Sequence, residues 1–377
     1  MKFVAKTLYG LEQVLSGELV SLGASNIKVL NRAVLFEGNK ELLYRVNYCS
    51  RTALSVLMPI DEFRIRSKED LYDGAMRIRW DKYMNDETTF SIVPVVNSHY
   101  FAHTGFPALI LKDAVADFFR QRKGRRPNVD QNDPDLLINL HISNNLVTIS
   151  LDSTVVPLYK RGYRKEQSIA PLNEVLAAGM LLISGWDGSR DLVDPMCGSG
   201  TIPIEAGLIA CNIPPGKFRS SFGFMKWNDY EDDLLRKIKA DCEEQIRKPA
   251  ALISGSDISP KAVEQSEINL ASAGLLDYVS IRVSDFADLK SDSPGKYIFI
   301  NPPYGIRIMP EELNGLYGMI GTKLKHGFPD SSAWIITPNM EALKHVGLKP
   351  ENKYTLFNGS LKCVLVRYEM YQGSRKR

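Results

Sequence analysis

Cysteine is scarce in this chain of 377 residues: five thiols, Cys49, Cys197, Cys211, Cys242 and Cys363. No two of them have the close spacing of a zinc knuckle or a redox motif, so reduced thiols in a cytoplasmic protein are expected. Histidine is equally sparse, and His99, His103 and His141 have no cysteine or acidic partner at ligand spacing, which leaves no expected metal site. No apolar run approaches membrane-spanning length, and charge at Lys2 and Lys6 interrupts the start before a signal-peptide core can form. Secretion and membrane insertion are therefore not expected. The formal net charge of +3 is too small to imply a nucleic-acid partner by itself, so local clusters must carry that argument.

What is present is 44% apolar and 24% charged residues, the balance of an ordinary globular protein long enough for two or three domains. The chain is organised around Asn301-Pro302-Pro303-Tyr304, which follows the apolar run 297–300. The run reads as a buried strand. Two prolines hold the following backbone extended and remove two N–H donors, leaving free carbonyls beside an amide oxygen. Such acceptors suit an exocyclic amine, because both N–H bonds are received while the nitrogen lone pair points elsewhere. Tyr304 adds a flat face for stacking. These four residues resemble the fourth motif of the amino-methyltransferases, which methylate exocyclic nitrogens of bases or glutamine amides with S-adenosylmethionine.

Upstream, 191–194 reads as a short strand ending in Asp194, followed by Pro195-Met196-Cys197-Gly198-Ser199-Gly200-Thr201 and a helix over 202–209. Strand, glycine-rich turn and helix form the first unit of a doubly wound fold, with the turn at the ligand-binding end of the sheet. Glycine admits a ligand close to the backbone, and the helix start supplies unpaired N–H groups. The third glycine of the dinucleotide fingerprint is absent. The run resembles instead the first motif of class I S-adenosylmethionine-dependent methyltransferases, and Glu205 and Ala206 continue that likeness. The resemblance implies cofactor contacts from Asp194, Cys197, Gly198, Ser199, Gly200 and Thr201, with Asn301 closing the site.

The next strands, 251–255 and 279–283, end at Asp257-Ile258 and Asp285-Phe286. A carboxylate at the tip of the second strand accepts from both ribose hydroxyls in dinucleotide sites, which assigns Asp257 to the ribose. Asp285 is expected to receive the adenine amino group, and Ile258 and Phe286 to line the cofactor. Cys197 raises the possibility of cysteine-dependent pyrimidine C5 methylation. Its place in the cofactor loop makes it instead a small residue packed beneath that loop. The inserted segment 214–248, with Phe222, Phe224, Met225 and Trp227 near its start, either lines the base pocket or caps the sheet, and the cap is favoured.

The first half reads βαββαβ over 3–58, a ferredoxin-like order. From 67 to 152 the pattern becomes helix, strand, helix and two strands. The second helix there ends in the basic run Arg120-Gln121-Arg122-Lys123-Gly124-Arg125-Arg126. A helix end of this kind suits a phosphate backbone, the alternative being a solvated terminus. With Leu136-Leu137-Ile138-Asn139-Leu140 and Ser150-Leu151-Asp152, the segment resembles the THUMP RNA-binding domain. RNA contacts are expected from Arg122, Lys123, Arg125 and Arg126, and from Arg161 and Arg164 in the cluster 159–165, for which a plain solvated linker is the competing reading. The segment 170–174 then opens a helix, while 305–307 follows the tetrapeptide and Ser374-Arg375-Lys376-Arg377 forms a basic tail.

The expected architecture is α/β: a Rossmann-like class I methyltransferase domain over 156–377, its seven-stranded sheet carrying an antiparallel last strand, preceded by a ferredoxin-like domain (1–65) and a THUMP domain (66–155). The whole resembles the THUMP-containing RNA guanine-N2 methyltransferases, closest in pattern to the bacterial enzymes that form N2-methylguanosine in large-subunit ribosomal RNA. The resemblance implies S-adenosylmethionine as cofactor, S-adenosylhomocysteine as product, and Asn301, Pro302 and Tyr304 as catalytic groups with no covalent enzyme intermediate. Ribosomal RNA is expected as partner ahead of transfer RNA, and a non-catalytic assembly factor is the rival of another class. Some family members carry a second methyltransferase domain, whose activity is not expected of this chain.

Overall fold

The computed structural model describes residues 1–166, 171–291, 293–305 and 309–371. Ala170, Ile306, Arg307 and the basic tail 374–377 lie outside the described residues. The first half runs β1 (Lys2–Lys6), α1 (Glu12–Ser21), β2 (Ser25–Leu30), β3 (Ala33–Glu37), α2 (Lys40–Cys49) and β4 (Ser55–Arg64), then α3 (Glu69–Arg77), β5 (Phe90–Asn97), α4 (Phe106–Lys123), β6 (Leu136–Ser143) and β7 (Leu146–Asp152). Local chemistry sets the helix ends. The Asn39 side chain accepts from the Leu42 N–H at 2.9 Å to open α2, and Gly124, with φ of 70°, closes α4.

These strands form a single sheet in the order β2-β3-β1-β4-β7-β6-β5. The long strand β4 joins the ferredoxin-like and second α+β units: its beginning pairs with β1, and its length from Leu57 to Arg64 pairs with β7. The sheet therefore does not break near residue 65.

The second half contains α5 (Glu174–Ile183), β8 (Leu192–Asp194), α6 (Thr201–Ala210), α7 (Asp232–Glu243), β9 (Ile253–Asp257), α8 (Pro260–Ser272), β10 (Val279–Val283), β11 (Tyr297–Ile300), α9 (Pro310–Gly327), β12 (Ser332–Thr337), α10 (Met340–Lys344), β13 (Asn352–Asn358) and β14 (Leu361–Glu369). Their sheet order is β10-β9-β8-β11-β12-β14-β13, and β14 runs antiparallel to both neighbours. Strand order reverses between β8 and β11, so the crevice for a ligand lies beyond the carboxyl ends of those two strands.

The inserted segment corrects the expectation that it caps the methyltransferase sheet. Phe222, Phe224, Trp227, Leu235 and Ile238 join the core of the N-terminal half. Phe224 stacks on Tyr44 of α2 at 4.1 Å between ring centroids, and α7 sets Cys242 Sγ 3.4 Å from Cys49 Sγ. Apolar burial at this seam, with Arg45 paired to Asp241 at 2.8 Å, fastens the two halves together.

Candidate active site

The glycine turn between β8 and α6 is held from beneath. The Cys197 N–H donates to the Ser256 carbonyl at 2.9 Å, and the Gly198 N–H to Asp257 Oδ2 at 3.0 Å. Asp257 Oδ1 accepts from the Ser259 N–H at 2.9 Å. Each of these oxygens keeps a second lone pair for a ligand hydroxyl. Gly198 and Gly200 adopt φ of 55° and 82°, values that strain any residue with a Cβ. A Cβ at Gly198 would meet nothing within 4 Å, so the turn opens there on a free cradle, whereas at Gly200 it would meet Ser266 at 3.2 Å.

Two residues of α8 complete this support and were not apparent in the sequence. Ser266 Oγ donates to the Gly198 carbonyl at 2.6 Å. The Asn269 amide donates to the Ser199 carbonyl at 3.1 Å and accepts the N–H groups of Lys165 and Glu166. Both are fully buried on the same helix face as Val263 and Leu270. Polar residues recurring on an otherwise apolar face were the available signal.

Asp194 is 1% exposed, and burial followed by the nearby Asp257 charge pushes its carboxyl up to about 8. Cys197 is buried beneath the loop, as expected, and burial raises its thiol far from the thiolate range, which makes it a poor nucleophile. Beside Asp257, Ile258 is 68% exposed and offers an apolar face at the carboxyl end of β9. Asp285 caps a short turn by accepting from the Ala287 N–H at 2.9 Å. Phe286 requires a correction: its ring is 2% exposed and packs against Phe328, because the turn directs it into the layer between β11 and α9 rather than toward a ligand.

At the end of β11, Asn301 and Tyr304 are partly buried and Pro302 is buried. The Tyr304 hydroxyl donates to Asn301 Oδ1 at 2.7 Å. Burial is the chief cause of its raised pKa, with Cys363 next and a hydrogen bond to Asn358 opposing. The turn between β13 and β14 therefore reaches this site.

The basic residues divide. Arg122, Lys123, Arg125 and Arg126 are exposed. Lys123 pairs with Asp86 at 2.7 Å, Arg122 lies over the Phe118 ring at 3.8 Å, and Arg126 lines a groove of about 850 Å³ with Lys68, Phe106, Lys112 and Arg120. Arg161 and Arg164 are not surface cations, which corrects their assignment to RNA. Arg161 is 1% exposed and pairs with Glu205 at 3.4 Å, while Arg164 Nε donates to Glu174 Oε1 at 2.7 Å. Both are drawn inward by buried carboxylates.

Residues 161–367 match the family described as RMKL-like, methyltransferase domain. The chain belongs to this family. Residues 66–152 of this RMKL-like methyltransferase match the THUMP domain, and residues 2–57 the RlmL ferredoxin-like domain. It is 37% identical to a provisionally named RNA methyltransferase of Synechocystis over 98% of this chain and 97% of that one. It is also 37% identical to the ribosomal RNA large subunit methyltransferase K/L of Syntrophotalea carbinolica, over 98% of this chain. The match spans 54% of that relative, about half its length. Among solved structures, a provisionally named methyltransferase crystallised with S-adenosylhomocysteine superposes with a TM-score of 0.89 at 29% identity, covering 99% of each chain. No helix of the described residues is long and apolar enough to cross a membrane.

Proposed function

We propose that this RMKL-like methyltransferase transfers a methyl group from S-adenosylmethionine to the exocyclic N2 of a guanosine in RNA, with large-subunit ribosomal RNA in the bacterial cytoplasm as the favoured substrate. The observation that carries the reading is the pairing of acceptors at the end of β11 with a glycine cradle at the end of β8, the two strands where sheet order reverses. The residues fit the cofactor: Gly198 opens on free space, Asp257 retains acceptor capacity for ribose hydroxyls, and Ile258 presents an apolar face to a purine. The turn 198–201, Asp257, Ile258 and Asp285 would hold S-adenosylmethionine, which when bound would supply an electrophilic methyl group.

The chain's own work is positioning. Asn301 Oδ1 and the Pro302 carbonyl accept the two amine hydrogens of guanine, which orients the nitrogen lone pair away from the protein backbone. Tyr304 turns its ring to an extruded base, an interaction worth ~1–3 kcal/mol per base in single-stranded sites. Cys197, held protonated under the loop, takes no part. The names of the K/L relatives and the THUMP match favour RNA over protein or DNA.

The test is nucleoside mass spectrometry of ribosomal and transfer RNA from a strain lacking the protein, paired with methylation of each RNA by the purified chain. Loss of N2-methylguanosine from ribosomal RNA supports the proposal. Loss from transfer RNA alone moves the substrate, and loss from neither, with no cofactor bound, leaves an assembly factor.

A further inference from the structure

We propose that Arg164 is a positioning residue for the methyl-transfer reaction, acting through Ser199 and Thr201 to hold the glycine turn in its cofactor-ready shape. The inference rests on the reading of that turn as the S-adenosylmethionine cradle. The Arg164 side chain is 13% exposed. Its guanidinium reaches four acceptors: Nε donates to Glu174 Oε1 at 2.7 Å, Nη1 to Ser199 Oγ at 3.2 Å, and Nη2 to Thr201 Oγ1 at 2.9 Å and the Leu172 carbonyl at 3.2 Å.

The two hydroxyls stand on either side of Gly200, the left-handed residue at which the turn enters α6. Gripping both fixes the turn at the point where its direction changes. From the other side, Ser266 and Asn269 of α8 hold the carbonyls of Gly198 and Ser199. The turn is thus clamped between α8 and Arg164, and only the Arg164 jaw is a side chain from before the sheet begins. A planar fork is required for this geometry, since an ammonium cannot meet four acceptors spread about one plane. A cation beside the start of α6 opposes the helix dipole, and Glu174, 7% exposed, offsets it.

Arg161 provides the internal contrast. It lies three residues earlier and is more deeply buried, but its guanidinium serves Glu205 and the carbonyls of Leu158 and Arg51, none of them in the turn. Loss of Arg161 weakens the fold; loss of Arg164 additionally misshapes the cradle.

The experiment uses the full chain and four variants, Arg164→Met, Arg164→Lys, Arg161→Met and Thr201→Val, and measures melting temperature, S-adenosylhomocysteine affinity by calorimetry, and KM for each substrate. Arg164→Met and Arg164→Lys are expected to weaken S-adenosylhomocysteine and raise KM for S-adenosylmethionine on the order of tenfold, the loss of one charged hydrogen bond, with KM for RNA unchanged. Thr201→Val, which removes a single hydroxyl, follows in the same direction and serves if the arginine variants fail to fold. Arg161→Met is expected to lower the melting temperature while the folded fraction keeps wild-type affinity. Wild-type affinity in both Arg164→Lys and Thr201→Val, or equal weakening by Arg161→Met, overturns the proposal. A wild-type chain that binds no S-adenosylhomocysteine indicts the cradle reading itself, and the proposal falls with it.

Discussion

The Tyr304 hydroxyl donates its hydrogen to Asn301 Oδ1, at 2.7 Å, and so takes one of the two lone pairs on the oxygen proposed to receive the target amine. An incoming guanine amine uses the second lone pair or competes with this donor. Tyr304→Phe keeps the ring and frees the oxygen, so turnover is expected to hold within about threefold of wild type with KM for RNA unchanged or lower. Asn301→Ala is expected to lose about a hundredfold in turnover, the scale of a misplaced reacting group, while retaining cofactor affinity. Asp257→Ala should do the reverse and weaken S-adenosylhomocysteine, because Asp257 also anchors the Gly198 N–H. Steady-state kinetics beside calorimetry separates these roles, and equal loss of cofactor binding in Asn301→Ala and Asp257→Ala contradicts the division.

Arg125 and Arg126 are exposed, whereas Arg161 is interior. Changing Arg125 and Arg126 together to alanine is expected to weaken RNA binding and lower the slope of log affinity against log salt by about 1–2. Arg161→Ala leaves Glu205 buried without its cation and is expected to cost about 3–5 kcal/mol of stability. Filter binding across a salt series, with denaturant melts, distinguishes surface contact from interior pairing.

Asp194 links stability to pH. Its carboxyl is raised from 3.8 to about 8 in the folded chain, so the folded state holds this proton more tightly than the unfolded state. The stability due to the bound proton is complete below pH 4 and is lost progressively as pH rises through 8. Asp194→Asn keeps the acceptor for the Met196 N–H and cannot ionise. It is expected to flatten this slope, melting higher than wild type at pH 8 and with little difference at pH 4. Parallel slopes in the two proteins would refute the assignment.

Cys49 and Cys242 approach across the seam between the N-terminal half and the inserted segment, and a hydrogen bond from Cys49 draws the Cys242 thiol below its usual value. Peroxide is expected to convert the pair to a disulfide, two thiols and one peroxide giving the cystine link and two waters. Peptide mapping should find a 49–242 cross-link that Cys49→Ser abolishes. Its absence under conditions that oxidise other thiols would count against this packing.

The methyltransferase core was legible because its signals are local. The Gly198-Ser199-Gly200 turn, the strands ending at Asp257 and Asp285, and the prolines after β11 each declare themselves within a few residues. What escaped depends on partners remote in the chain. Arg161 reads as one cation in a basic cluster, and only the return of α6 brings Glu205 to it. Phe286 follows an acid at a strand tip, yet its ring packs against Phe328, the residue that caps the end of α9. The aromatics of the inserted segment could not reveal that Tyr44 waits for them, and no periodicity shows that β4 serves two neighbours at once.

That shared strand has a consequence for how a target nucleotide is chosen. The sheet runs from β2 to β5 through the shared strand β4, without a sheet break between its two small modules, and Phe224 on Tyr44 packs it on the methyltransferase half. The outer groove and the inner pocket are thus linked through one continuous sheet and this contact. On the proposed reading, an RNA bound at the groove would present to the pocket the base that its own folded shape delivers there.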